Sequence, residues 1–139
     1  MEECIFCKIV AEEIPSTKIY EDDAVVAFLD IQPIRPGHTL LIPKEHSDTL
    51  LQLSIQTLAA LTSRLQLIAK AVMEGANAEA FNITLNNGKA SGQLVFHTHF
   101  HIIPRKTDDG LQPWQHHKYA EGEAETIAKN IRAAVGIDK

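Results

Sequence analysis

Gln93-Leu94-Val95-Phe96-His97-Thr98-His99-Phe100-His101-Ile102-Ile103-Pro104 sets a histidine at every second position, three in succession. Successive side chains of an extended strand point to opposite faces. The spacing therefore predicts a strand over 96–104 with His97, His99 and His101 on one face and Phe96, Thr98, Phe100 and Ile102 on the other. One face is chemical and the other is apolar. Imidazole titrates near neutral pH, attacks electrophiles and binds metals, so three on one strand mark a candidate site. One shared metal does not explain all three. Cα atoms at i and i+4 of a strand are about 13 Å apart, whereas bonds from nitrogen to zinc are about 2 Å. Two neighbours can share an ion, or the rings can divide the labour, one attacking an electrophile and another binding the oxygens that gain charge.

Outward from this segment, residues 81–86 read as a strand ending in the turn-forming Asn86-Asn87-Gly88, and the spacing predicts antiparallel pairing with the histidine strand. Ile55, Leu58, Leu61, Leu65, Ile68 and Val72 recur every three or four residues, which predicts a long amphipathic helix over 54–75. Residues 18–21 and 24–29 read as a hairpin around Asp22-Asp23, and 38–43 as a third strand after a loop held by Pro33, Pro36 and Gly37. A short helix is expected over 4–11, stopped near Pro15, and a last helix over 121–135 beyond an irregular stretch at 108–118. The fold class is α+β. With neither an internal repeat nor a linker, residues 1–139 read as a single domain.

A chain of 139 residues, 45% of them hydrophobic, can bury a core without staples. Its net charge of −5 argues against gripping a nucleic-acid polymer, which needs a basic face to displace counterions. Small anionic ligands remain compatible. Arg35, Lys44, Lys89, Arg105 and Lys106 are scattered and read as solvated surface. No run approaches the roughly 20 apolar residues of a membrane span, and the opening Met-Glu-Glu-Cys lacks the basic flank of a signal peptide, so the expected location is cytoplasmic, with no membrane partner.

Gly92-Gln93 followed by His97-Thr98-His99-Phe100-His101-Ile102-Ile103 resembles the signature of the histidine triad (HIT) family, His-φ-His-φ-His-φ-φ with φ apolar, Thr98 being the one soft fit. The resemblance extends to Cys4-Ile5-Phe6-Cys7-Lys8-Ile9, Phe28-Leu29-Asp30-Ile31 and Gly37-His38-Thr39-Leu40-Leu41-Ile42-Pro43-Lys44-Glu45-His46. It thus covers a core at about 4–105 and leaves 106–139 as a tail. It implies a HIT-like fold, an antiparallel sheet of about five strands packed against the long helix with short terminal helices. It also implies a homodimer formed through that helix and the strand at 81–86.

The implied activity is hydrolysis at the α-phosphorus of a nucleoside monophosphate derivative of AMP or GMP: a phosphoramidate, a dinucleoside polyphosphate or a mixed anhydride. His99 matches the nucleophile that forms a nucleotidyl-histidine intermediate, His101 the histidine that contacts phosphate, and His38 an upstream histidine supporting both. Asp30 matches the acceptor of the ribose hydroxyls, a turn-forming aspartate ahead of Pro33 being the lesser alternative. Asn86 and Gln93 match groups reaching the phosphate or leaving group, Asn86 having turn chemistry as its alternative. Phe6, Ile9, Phe28, Leu29 and Ile31 match the base pocket, or plain core. Leu94 departs from the serine common in the phosphoramidase branch and cannot bond a leaving amine. The same intermediate would also serve a nucleotidyl transferase or phosphorylase, and a nucleotide-binding regulator with little turnover is a further alternative.

Cys4-x-x-Cys7 by itself is compatible with half a zinc site, a redox pair or packing. His46 and His97 supply the two missing ligand types, and some bacterial-type family members hold zinc in this way. The expectation is a closed, structural Cys2His2 zinc, with no metal needed for the chemistry. The adjacent His116-His117 lies in a polar tail and reads as exposed.

Overall fold

A computed structural model describes residues 3–136 and resolves them into two compact units that part after Asp109. In the first unit, α1 (Ile5–Val10) precedes the strands β1 (Lys18–Glu21), β2 (Val25–Leu29) and β3 (Thr39–Pro43). The long α2 (Ile55–Gly75) then leads to β4 (Ala80–Leu85) and β5 (Phe100–Arg105). The sheet is antiparallel throughout, in the order β1-β2-β3-β5-β4. Strands in a sheet covered on both faces read as continuous apolar runs rather than alternating ones, and β2 and β3 are of this kind. Val25, Ala27, Leu41, Phe100 and Ile102 pack under Leu61, Ile68, Ala69 and Val72 of α2. Val26, Phe28, Leu40 and Ile42, one residue out of phase, pack under Phe6 and Ile9 of α1.

The helix boundaries follow from capping. Cys4 caps α1 by accepting the Cys7 N–H on its sulfur at 3.2 Å. Ser54 caps α2 by accepting the Thr57 N–H, and the Glu45 carboxylate takes the Ser54 N–H and both hydroxyls. Gly37 is obligatory for two reasons. Its φ of +96° lies in the left-handed region, and a Cβ there would meet the Ala76 Cβ at 2.9 Å.

The histidine strand is shorter than its sequence predicts. β5 begins at Phe100, so His101 is its only histidine, and β3 pairs with it no further than Leu41↔Phe100. Ahead of that point Ser47 intervenes: its carbonyl accepts the Thr98 N–H at 2.8 Å, and the Ser47 and Thr98 hydroxyls lie 2.7 Å apart. These bonds replace the β ladder and bend the chain, leaving Thr98 buried and Phe96 43% exposed instead of in the core. The alternation of faces therefore holds only from Phe100 onward.

The second unit, from Gly110, contains α3 (Glu123–Val135), whose Ile127, Ile131 and Val135 form an exposed stripe at helical spacing. Among the described residues no helix is long and apolar enough to cross a membrane.

Candidate active site and metal centre

Bending at 95–98 separates the histidines into two groups. The His97 ring, fully buried, turns back toward α1. Its Nδ1 lies 3.3 Å from Cys4 Sγ and 3.6 Å from Cys7 Sγ, and His46 Nδ1 lies 3.3 Å from Cys7 Sγ. All four candidate donors lie within 4.8 Å of one another. In a tetrahedral site with Zn–S of about 2.3 Å and Zn–N of about 2.0 Å, sulfur and nitrogen ligands are about 3.5 Å apart. The donor set fits zinc in separation as well as in chemistry.

The outer partners fit too. His97 Nε2 donates to the Pro43 carbonyl at 2.8 Å and His46 Nε2 donates to Asp48 Oδ1 at 3.0 Å, so both rings keep the Nδ1 lone pair for the cluster. Burial, and then the neighbouring Cys4, push the Cys7 thiol up to about 11. Cys4, Cys7, His46 and His97 are thus brought together, the set that the resemblance implied. Asp48, two residues after His46, is a supporting carboxylate that sequence reading missed.

His99 and His101 face a separate pocket of about 360 Å³ between α1, β2 and the loop preceding β5. Here hydrogen bonds fix every proton. Ile34 N–H donates to His38 Nδ1 at 3.0 Å, so His38 carries its proton on Nε2 and donates it to His101 Nδ1 at 2.9 Å. His101 consequently holds its own proton on Nε2. His99 Nδ1 donates to the His97 carbonyl at 2.7 Å, which leaves its Nε2 as a lone pair.

Desolvation by burial lowers the pKa of His38, of His99 and of His101, the last to about 4 with help from the two neighbouring rings. All three are neutral near pH 7. A lone pair and an N–H donor therefore stand on adjacent rings, 4.9 Å between centroids, as nucleophilic displacement at a phosphoryl group requires. Asp30, His38 and His101 also offer three donors within 4.8 Å. A metal on His38 Nε2 would have to displace the proton that the Ile34 bond places there.

The remaining expected residues divide. Phe6, Ile9, Phe28, Leu29, Ile31 and Asn86 line the pocket, and Phe6 stacks edge-on against both Phe28 and His99. Asp30 lines it as well, with Oδ1 accepting the Gln32 N–H in a turn and Oδ2 lying 3.7 Å from His38 Nε2, so its turn and site readings coexist. Gln93 requires correction. It is 2% exposed and does not line the pocket. Its Oε1 accepts the Gly88 N–H at 2.7 Å, and its Nε2 donates to the carbonyls of Asp48 at 2.6 Å and Val95 at 3.0 Å. Both amide protons are consumed in bracing the loop, so none reaches toward phosphate.

Ile5, Ile14, Pro15, Leu40 and Val95, unassigned from sequence, complete the apolar wall, and Leu94 also lines the pocket, 89% exposed. The signal for this wall was weak, since such residues are indistinguishable from core in one dimension. No lysine or arginine lines the pocket among the described residues. Arg35, Lys44 and Arg105 are engaged elsewhere, with the Pro104 carbonyl, Glu21 and Asp109.

The structure thus sets paired imidazoles over an apolar cleft on a two-sided antiparallel sheet. The HIT domain model matches residues 11–108, and this chain belongs to the HIT family. It is 46% identical over 109 residues to Adenylylsulfatase HINT3 of Arabidopsis thaliana, a match covering 78% of this chain but only 55% of that protein. It is 37% identical over 134 residues to Adenosine 5'-monophosphoramidase hnt1 of Schizosaccharomyces pombe, covering 95% and 98% of the two chains. The fold superposes on the crystal structure of SMU.412c from Streptococcus mutans with a TM-score of 0.91, 40% identity and coverage of 97% and 87%. It also superposes on a zinc-bound histidine triad family protein from Mycobacterium smegmatis with a TM-score of 0.76, 38% identity and coverage of 95% and 98%.

Proposed function

We propose that this protein is a nucleotide hydrolase that cleaves at the α-phosphorus of a nucleoside monophosphate derivative through a nucleotidyl intermediate on His99. The observation that carries the reading is the proton arrangement: the Nε2 lone pair of His99 beside the Nε2–H of His101, both fixed by hydrogen bonds behind them. In the first step His99 Nε2 bonds to phosphorus while the bond to the leaving group breaks and that group takes a proton from solvent, which the second step returns. His101 N–H holds the oxygens that gain charge. In the second step water attacks phosphorus, the P–N bond breaks, and His99 returns neutral with release of the nucleoside monophosphate and a proton.

The apolar wall takes the base and Asp30 takes the ribose hydroxyls. Without lysine or arginine in its lining, the pocket suits a phosphoramidate or mixed anhydride of AMP or GMP, with one or two negative charges, better than the longer charged chain of a dinucleoside polyphosphate, and Leu94, which cannot bond a leaving amine, weighs against the phosphoramidate within that pair. The names of two relatives, an adenylylsulfatase and a monophosphoramidase, support the first of these preferences.

Zinc, where bound by Cys4, Cys7, His46 and His97, would supply a crosslink between α1 and the segments that follow β3 and precede β5, outside the reacting atoms. A homodimer in the cytoplasm completes the proposal, supported by the exposed Phe81 and Ile83 on β4, beside which Leu65 and Met73 of α2 line a groove.

Intact-protein mass spectrometry after rapid quenching tests the mechanism. A nucleotidyl adduct with adenosine phosphoramidate in wild type, absent in His99→Ala with turnover reduced about 10⁴-fold or more, is the expected result. Undiminished turnover in His99→Ala overturns it.

A further inference from the structure

His97 belongs to both groups of side chains at once. Its ring is gripped from two sides, by the cysteine pair at Nδ1 and by the Pro43 carbonyl at Nε2, and it has no exposed surface. Its backbone carbonyl is the acceptor, at 2.7 Å, for the one N–H that determines which nitrogen of His99 is free. Phe6 reinforces the link. It lies one helical position from Cys7 and packs edge-on against both rings, with centroids 5.9 Å from His97 and 5.1 Å from His99.

No β ladder holds this carbonyl in place, because β5 starts only at Phe100. The peptide between His97 and Thr98 is oriented instead by the ring of His97 on one side and by the Ser47–Thr98 bonds on the other. An imidazole whose Nδ1–H loses its acceptor relaxes toward the Nε2–H tautomer that predominates in water. In that tautomer the nitrogen facing the pocket carries a proton and cannot attack.

We propose that His97 is a positioning residue through which the Cys4-Cys7-His46 cluster sets the tautomer, and so the reactivity, of His99, making the metal centre a determinant of the nucleotidyl-transfer rate and not only a staple. The transfer half of this rests on the reading of His99 as nucleophile. The tautomer half stands on geometry alone.

The experiment uses protein labelled with ¹⁵N at histidine and loaded with zinc. Two-bond ¹H–¹⁵N spectra of this form should show His99 as a single Nδ1–H tautomer. In Cys7→Ala the His99 nitrogens should move to averaged values, and the single-turnover rate should fall about 10- to 100-fold, the usual scale for losing an outer-shell partner, with nucleotide affinity held within about threefold. A locked His99 in a folded Cys7→Ala, or a rate loss matched by an equal affinity loss, overturns the proposal.

Cadmium-loaded wild type keeps the test decisive if Cys7→Ala fails to fold. The larger ion must shift the ligating Nδ1 resonance of His97, and His99 must shift with it. A displaced His97 beside an unmoved His99 overturns the coupling. Absence of a nucleotidyl adduct in wild type would instead refute the functional reading, leaving the tautomer result to be judged separately.

Discussion

Replacing Gln93 by glutamate changes one NH2 group for an oxygen and almost nothing in volume, so the effect reports on hydrogen bonding alone. The Oε1 contact to the Gly88 N–H survives. The other atom, which donates to the carbonyls of Asp48 at 2.6 Å and Val95 at 3.0 Å, becomes an acceptor facing two acceptors in a site 2% exposed. Each buried carbonyl left without its donor costs about 1–3 kcal/mol. Loop relaxation and water reaching the half-buried ends bring the total to about 3 kcal/mol for the ionised form.

That loss equals a rise of about 2 pKa units for the introduced carboxyl, to about 6. A group whose folded pKa is raised contributes its stability below the unfolded value, about 4.3 for glutamate, and loses it as pH rises through the folded value. Urea unfolding of Gln93→Glu and wild type should therefore give a difference of about 3 kcal/mol at pH 7 that shrinks to about 1 kcal/mol at pH 4.5, where the protonated acid again donates. A difference below about 0.5 kcal/mol at pH 7, or one independent of pH, would show that this side chain is not clamped between the two carbonyls.

Gly37→Ala should destabilise by about 2–3 kcal/mol in the same assay, from the left-handed φ and the 2.9 Å approach to Ala76 on the C-terminal cap of α2. A Tm unchanged from wild type would contradict the turn geometry. Leu61→Ala, which truncates a fully buried side chain on the sheet-facing side of α2, should cost about 2–5 kcal/mol by denaturant unfolding, and a loss under 1 kcal/mol would mean the helix packs differently. Wild-type stability should fall as pH drops below about 6.5, because His38, His99 and His101 resist protonation in the folded state. For His101 the loss continues down to about pH 4, and a stability profile flat across that window would contradict the buried neutral triad. Asp30→Asn should weaken AMP binding about 10- to 100-fold in calorimetry while sparing the dideoxy analogue; an equal loss for both would indicate a collapsed pocket and not a missing ribose contact.

Element types were legible because their signals are local. The 3.6-residue recurrence from Ile55 to Val72, the capping residue Ser54 and the apolar runs of β2 and β3 each follow from neighbours in the chain. The strict alternation around the histidines was misleading over its first half, because the pairing of Thr98 with Ser47 is set 51 residues away and competes with the ladder. That partnership still left a trace, since each hydroxyl residue directly follows a histidine of the metal cluster. Gln93 illustrates the opposite difficulty. A buried glutamine satisfied by backbone and one aimed at a ligand are the same letter, and only the positions of Gly88, Asp48 and Val95 separate them.

The separations within the metal centre also bear on the order in which the molecule can be assembled. His97 lies 93 residues after Cys4 and 90 after Cys7, and His46 lies 39 after Cys7. At about 5–20 residues per second of synthesis, the two thiols wait roughly 5–20 s for their last partner. Through that interval α1, only six residues long, can meet β2 and β3 but lacks the imidazole that closes its cluster. Closure of the centre therefore waits until β1 to β4 have been made. A chain that has captured its metal in full is one whose histidine segment has already found its place.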